Sequence, residues 1–315
     1  MLMNKQQAWK NFNLGEELSI SGTFIYNGLR RFHEMQALDY TDEIFEFLYN
    51  LSVGLERLLK IAVVLLEHKD DADQEALEKS LITHNHLELL KRVKDHCKLN
   101  LGSPHNEFLA LLRTFYTSLR YDRFTLSSVY DTDRERKALW DFLSKHLNVD
   151  LREPSGLFAT QNDTRYRKYI RGIVTKISSA LFEVVRDRAL ELNLYTYELR
   201  HGSRAETIFL GEADLPAEEV LWKELLVFFM NTKASSGYFE FLRSIEPLEF
   251  DPALAGDYLQ CFQSDAAKAF VVDELEHLYG ELEKPGERLE LMSVIANPNA
   301  YFDSDEDIDE DDESL

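Results

Sequence analysis

The feature that most constrains the fold is a long apolar stripe that begins near Asp42 and ends near Leu66. Its members recur at alternating spacings of four and three, which is the repeat of one face of an α-helix. They are Ile44, Leu48, Leu51, Leu55, Leu58, Ala62 and Leu65. Apolar neighbours widen the stripe beyond a narrow coiled-coil seam, so the pattern favours a helix buried in a bundle over a coiled coil.

Later segments repeat this period and are separated by helix start and stop signals. Gly102 is a typical helix stop, and the Ser103-Pro104 pair that follows is typical of a helix start. A second long stripe consists of Tyr166, Ile170, Ile173, Ile177, Ala180 and Val184. We therefore predict an all-α protein, with short extended segments only at 19–25 and 194–199.

Composition and periodicity suggest five parts along the chain. Residues 1–41 have no clear period and are interpreted as an arm with a short helix over 28–37. The other predicted parts are a helical bundle at 42–147, a linker rich in turn signals at 148–163, a second helical domain at 164–300 and a disordered acidic tail at 301–315.

Net charge and cysteine content limit the classes of function. The formal charge is −22, and nine of the acidic residues lie in 303–315, so the preceding 302 residues carry about −13. This acidity argues against broad binding to nucleic acid, although a local basic site is compatible with it. The chain has two cysteines and no apolar run long enough to span a bilayer, so we expect a cytoplasmic protein without membrane contact.

Three short motifs carry a resemblance to a known family. They are Gly-Leu-Glu-Arg-Leu-Leu-Lys at 54–60, Thr-His-Asn-His-Leu-Glu-Leu-Leu at 83–90 and Leu-Arg-Tyr-Asp-Arg-Phe at 119–124. Over 42–126, their order resembles the HEPN superfamily (higher eukaryotes and prokaryotes nucleotide-binding). The resemblance implies a helical bundle that acts on nucleotides or RNA in a prokaryotic stress or phage-defence system.

The resemblance also bears on catalysis. Ribonucleases of this superfamily carry an arginine and, after four to six intervening residues, a histidine. Arg120 matches the arginine, but 125–127 are Thr, Leu and Ser, so the histidine is absent. Some members have an Arg-Tyr pair at this place and are linked to nucleotide binding instead of cleavage, and the Arg-Tyr pair at 120–121 is similar to theirs. An active ribonuclease would need another proton carrier, for which His84 and His86 are the candidates.

Two groups of basic residues are candidates for binding phosphate. Arg120 and Arg123 form the first, and their alternative role is to pair with carboxylates such as Glu56 or Asp122. The second group consists of Arg167, Lys168 and Arg171, which tyrosines interleave; its alternative role is a charged outer face that pairs with acids. His84 and His86 would point to different sides of a helix, so we expect no metal site and no cofactor.

Three functions of different classes follow. The first is a nucleotide- or RNA-binding regulatory protein without nuclease turnover. The second is a metal-independent ribonuclease with a non-standard site, and the third is a scaffold for other proteins. The sequence does not decide whether the protein is an enzyme. Expected partners are nucleotide or RNA, a second copy bound through helical faces, and a protein that binds the acidic tail.

Overall fold

The structure divides the chain into two compact units, Met1–Glu218 and Glu219–Leu315. It is a computed structural model and describes residues 4–69, 73–130, 133–151, 159–213, 215–233, 236–262 and 265–302. The predicted acidic tail lies outside these residues, apart from Tyr301 and Phe302.

The first unit is built from helices. Its α-helices are α1 (Lys5–Ala8), α2 (Leu14–Glu34), α3 (Thr41–Glu67), α4 (Gln74–Ser80), α5 (His86–His96), α6 (Ser103–Thr114), α7 (Arg120–Asp122), α8 (Arg134–Leu147), α9 (Thr164–Glu191), α10 (Arg204–Phe209) and the start of α11 (Leu215–Asn231). π-helical turns occupy Trp9–Asn13 and Phe115–Leu119, and 3-10 turns occupy Leu126–Tyr130 and Tyr197–Leu199.

The described residues contain no β-strand, so the all-α prediction is confirmed for them. The nearest approach to a sheet is one isolated antiparallel bridge between Ala37 and Gln161. Within the same residues, no helix combines the length and the apolar content that crossing a bilayer requires.

Helix α3 forms the centre of the first unit. Every side chain of the predicted stripe is at most 3% exposed, which confirms that this face is buried. Helices α2, α5, α6, α8 and α9 all pack against α3. The core is therefore a bundle that surrounds one helix.

Helices α2 and α3 lie side by side in antiparallel orientation. Near one end of the pair, Arg31 donates to Glu46 at 2.7 Å. Near the other end, Arg57 donates to Glu17. Because the residue numbers fall along α2 as they rise along α3, the two helices run in opposite directions.

Two glycines bring α2 and α3 unusually close. A Cβ atom on Gly54 would lie 2.7 Å from Cγ1 of Ile25 and 2.9 Å from its backbone nitrogen. A Cβ atom on Gly28 would lie 2.7 Å from the Leu51 side chain. At the same crossing, the Ser21 hydroxyl donates to the Gly54 carbonyl oxygen at 2.8 Å. The glycine of the 54–60 motif thus has a packing role in this structure.

The extended segment predicted at 19–25 is wrong, and the helix predicted over 28–37 is confirmed for 28–34. Residues 14–34 form one continuous helix, and its buried face follows the same four-three rhythm as α3. Ser21 and Gly28 occupy positions of that face where an apolar residue would be expected. Because serine is polar and glycine carries no side chain, these residues hide the apolar period of the sequence. Their small size nevertheless allows α2 to pack closely against α3.

The predicted strand at 194–199 is also wrong. Residues 194–196 have no regular structure, and Tyr197–Leu199 is a 3-10 turn. Leu194 is buried, whereas Tyr195 and Tyr197 are exposed. A strand needs a neighbouring strand for its backbone hydrogen bonds, and the described residues supply none.

The division into units differs from the predicted domain boundary at 148–163. Helices α9 and α10 belong to the first unit, and Arg188 of α9 donates to the Leu65 carbonyl at 3.0 Å. At the end of the predicted linker, Asn162 donates to the carbonyls of Phe32 and Met35 at 2.6 and 3.1 Å. These hydrogen bonds fasten the segment to the end of α2. The composition of the segment alone does not reveal this attachment.

The second unit is also helical. It contains the remainder of α11, α12 (Gly237–Ser244), α13 (Ala255–Gln260), α14 (Asp265–Gly280), α15 (Pro285–Val294) and a 3-10 turn at Pro252–Leu254. Helices α13 and α14 pack together, and Tyr258 donates to Glu274 across them at 2.8 Å.

A charged cluster ties α6 to α8 in the first unit. Glu107 accepts hydrogen bonds from Lys145 at 2.8 Å, His146 at 2.9 Å and Ser103 at 2.7 Å. The hydrogen bond from Lys145 is the largest cause that lowers the pKa of Glu107 to about 2. The Lys145 side chain is exposed and that of Glu107 is partly exposed, so solvent screens part of this stabilisation.

We predict opposite effects for two glycine-to-alanine substitutions. Gly54→Ala should lower the free energy of unfolding by about 1–3 kcal/mol, because its Cβ must push α2 and α3 apart. Gly172→Ala should raise it by about 1 kcal/mol, since Gly172 lies within α9 and a Cβ there meets no atom within 4 Å. Urea unfolding followed by circular dichroism measures both. Equal effects of the two substitutions would contradict the close crossing.

Glu107 should contribute stability that depends on pH. Because its pKa is lowered on folding, the contribution is present above the usual carboxyl pKa of 4.5 and is lost as pH falls toward about 2. The urea midpoint of Glu107→Gln should therefore lie below that of the wild type at about pH 5, and the gap should narrow at about pH 3. A gap that stays constant over this range would contradict the lowered pKa of Glu107.

Candidate anion-binding site

The candidate site begins at the π-helical turn Phe115–Leu119, which joins α6 to α7. A π-turn accommodates an extra residue within a helix, and such turns are frequent at functional sites because they change which side chains share a face. Here Phe115 is fully buried in the core, whereas the next residue, Tyr116, is half-buried at the surface of the bundle. Tyr116 is the residue around which the site is arranged.

Arg120 lies over the ring of Tyr116. Its guanidinium carbon is 3.6 Å from the centre of that ring and 4.5 Å from the centre of the Tyr121 ring. The Nε atom of Arg120 is buried without a hydrogen-bond partner, and no carboxylate among the described residues pairs with this arginine. Arg120 is therefore a cation that two tyrosines hold in place and whose charge no acid among the described residues neutralises.

The nearby arginines behave differently. Arg123 is bound to the buried carboxylate of Glu135, and Arg134 is bound to Asp122. Asp122 was one of the carboxylates expected as an alternative partner for Arg120, and it is occupied by Arg134 instead. Unlike Arg123 and Arg134, Arg120 has no acidic partner in the part of the chain that the structure describes.

A histidine and a carboxylate form the second part of the site. The Nδ1 atom of His84, just before α5, lies 3.0 and 3.2 Å from the two carboxylate oxygens of Glu56 on α3. Lys60, one turn further along α3, donates to the same carboxylate at 2.7 Å. The Glu56 side chain is only 8% exposed, whereas that of His84 is 50% exposed. The carboxylate thus holds a histidine whose outer side is open to solvent.

Tyr116 joins the two parts of the site. The ring centres of His84 and Tyr116 are 4.8 Å apart, and Tyr49 of α3 stacks on Tyr116 with its ring centre at 6.1 Å. The Arg120 guanidinium and the His84 imidazole therefore both contact one tyrosine ring. The structure brings these two predicted site residues together.

The hydrogen bond to Glu56 determines what His84 can do chemically. An ionised carboxylate only accepts hydrogen bonds, so the contact requires a proton on Nδ1 of His84. A neutral His84 then has a lone pair on Nε2, which can accept a proton, and a charged one can donate a proton or bind an anion. Arg120 can meanwhile bind a phosphate through charge-assisted hydrogen bonds.

His86 has a structural position instead. It is fully buried, and its Nε2 lies 2.8 Å from the Ser52 carbonyl oxygen of α3. Burial lowers the pKa of His86 and favours the neutral imidazole. His86 has no open side toward solvent, so of the two predicted histidines only His84 belongs to the candidate site.

The two arginines of the second predicted basic group donate hydrogen bonds to backbone carbonyls outside their own helix. Arg167 donates to the Met35 carbonyl at 3.0 Å, and Arg171 donates to the carbonyls of Gly211 and Ala213, the former at 2.9 Å. Lys168 is exposed on α9. We therefore place Arg167 and Arg171 outside the candidate site. Lys168 is the residue of that group whose side chain is exposed.

Sequence reasoning missed Tyr116 as the centre of the site and identified Glu56 only as a possible ion-pair partner. The 54–60 motif did point to Glu56 and Lys60, which share a face at a spacing of four. Nothing in the sequence marks the π-turn that turns Tyr116 toward His84. Among the described residues, no group of three or more His, Cys, Asp or Glu side chains could hold a metal ion.

Comparison with known proteins gives no match to any protein-family model, to any curated protein or to any solved structure.

Proposed function

We propose that the protein binds a phosphate-bearing ligand, a nucleotide or RNA, at the surface formed by Arg120, Tyr116 and His84. The observation that carries this proposal is the charge of Arg120, which no described acid pairs with, in a chain with a formal charge of −22. A partly buried cation without an acidic partner is costly unless something else pairs with it, and a phosphate supplies both charge and hydrogen-bond acceptors.

The surroundings of Arg120 suit a nucleotide better than a simple anion. Tyr121, whose ring contacts Arg120, is 55% exposed, and Tyr49, which stacks on Tyr116, is 37% exposed. Both therefore offer ring surface at the site. Bases stack on such rings without regard to sequence. A ligand that combines phosphate with a planar base therefore fits this surface.

Metal-independent RNA cleavage is the second candidate function. The contact between His84 and Glu56 favours it, since a carboxylate-oriented histidine beside an arginine can accept or donate a proton near a bound phosphate. His84 would then replace the histidine that is missing at 125–127. Only one solvent-exposed histidine, His84, lies at the site. A cleavage reaction needs a general base and a general acid, so one of its two proton transfers would have no histidine to perform it.

The biological setting rests on the resemblance to the HEPN superfamily. It favours a regulatory role in a prokaryotic stress or phage-defence system. A reducing compartment such as the cytoplasm suits the two free thiols, Cys97 and Cys261. A homodimer through helical faces and a protein partner for the acidic tail stay predictions, and a pure scaffold would be favoured if no nucleotide or RNA binds.

Removal of the Arg120 charge should weaken binding. With ATP and a short single-stranded RNA as probes, we expect Arg120→Gln to raise Kd at least about tenfold, because charge-assisted hydrogen bonds to phosphate are lost. Isothermal titration calorimetry measures the change. Arg204→Gln is the matched control, since the Arg204 guanidinium also lies over a tyrosine, Tyr26, at 5.7 Å, away from this site. Equal affinities of the wild type and Arg120→Gln would contradict the proposed site.

The purified protein should show no efficient RNA cleavage in the presence of a chelator. An arginine stays protonated and shuttles protons poorly, and general acid–base catalysis is worth ~10²–10⁴-fold in rate. Gel analysis of a labelled RNA tests this expectation. If the wild type does turn over, the second candidate requires that His84→Ala and Glu56→Gln lose activity while His96→Ala, at an exposed histidine, retains it.

A further inference from the structure

An exposed apolar surface follows the candidate site directly along the chain. Five large side chains between Tyr121 and Tyr130 are 55–98% exposed. We call them the ledge, and they are Tyr121, Phe124, Leu126, Val129 and Tyr130. Soluble proteins rarely expose so many large apolar groups in one short segment without a binding role.

The backbone beneath the ledge is held in place. It forms successive turns, in which the Phe124 amide donates to the Tyr121 carbonyl at 3.0 Å and the Ser128 amide donates to the Thr125 carbonyl at 3.1 Å. Ion pairs of Arg123 and Asp122 with α8 fasten the same segment to the bundle. The aromatic rings are therefore presented outward by a structured segment.

Two arginines in this part of the chain, Arg113 and Arg120, have no acidic partner among the residues that the structure describes. By contrast, Arg123 and Asp122 are already paired with Glu135 and Arg134 of α8. Arg113 is exposed and lies seven positions before Arg120. Exposed aromatic rings beside a local positive charge are the combination that binds single-stranded nucleic acid, in which the bases stack and the phosphates pair.

We infer that the ligand of the candidate site is a single-stranded nucleic acid, with one phosphate at Arg120 and neighbouring bases stacked on Tyr121, Phe124 and Tyr130 of the ledge. This inference rests on the proposed function and narrows its ligand. A mononucleotide at Arg120 would leave most of the ledge uncovered. A duplex keeps its bases stacked inside and presents none to the ledge.

The experiment compares a strand with a mononucleotide. Fluorescence anisotropy with labelled U12 and dT12, and calorimetry with UMP and ATP, should give tighter binding for the strands than for the mononucleotides. The double variant Phe124→Ala/Tyr130→Ala should raise Kd for U12 at least about tenfold, since each stacked base contributes substantially to affinity. Its affinity for ATP should not change, because Arg120 and Tyr116 remain.

A matched control is available on the same unit. Tyr195 and Tyr197 are 75% and 67% exposed, so Tyr195→Ala/Tyr197→Ala removes a comparable aromatic surface elsewhere. This variant should bind U12 like the wild type. Circular dichroism should show native helix content for both double variants, because the four rings are not in the core.

The possible failures are distinguishable. Binding of ATP without tighter binding of U12 or dT12, or strand binding that is indifferent to Phe124 and Tyr130, would overturn this inference and leave the proposed function standing. Failure of every probe to bind would overturn both. If the ledge instead binds a protein, U12 binding is absent and a wild-type copurifying partner is lost in the ledge variant, which also overturns the inference. Preference between U12 and dT12 distinguishes RNA from DNA.

Discussion

The close contact between α2 and α3 at Gly54 is the constraint on which the first unit depends. Because Ile25 and the Ser21 carbonyl leave no space for a Cβ, the two helices meet through backbone atoms instead of through long side chains. This fixes their separation and lets the remaining helices pack around α3. A hydrogen bond from Ser21 to the Gly54 carbonyl adds a polar contact at a point from which water is excluded.

The candidate site is built on the same part of α3. Glu56 follows Gly54 by two residues and Lys60 follows one turn later, so the packing that fixes the helix also fixes the carboxylate that holds His84. Tyr116 comes from a different element and closes the site from the side of α6. A rigid helix and a π-turn thus hold the two halves of one surface.

Sequence patterns predicted α3 and the all-α class because the apolar residues of the stripe recur at helical spacing. They fall on one face, and so can be buried together, only if the segment is a helix. The patterns assigned only the end of α2, from residue 28, to a helix, since Ser21 and Gly28 stand where apolar residues mark a buried face. For the site, the motifs pointed to Arg120 and His84, but their meeting depends on Tyr116. Arg167 and Arg171 resembled a phosphate-binding pair because the backbone carbonyls that they bind lie far away in the sequence.

The π-turn at Phe115–Leu119 has a consequence for how this surface can vary among related sequences. An α-helix advances about 100° per residue, so loss of one residue from the turn would rotate everything after it by that angle. Phe115 would stay in the core, while Arg120 would leave the ring of Tyr116 and face another direction. A single-codon deletion in the turn would therefore disrupt this surface even if every residue that forms it were retained, so the length of the turn matters for the site as much as the identity of its residues.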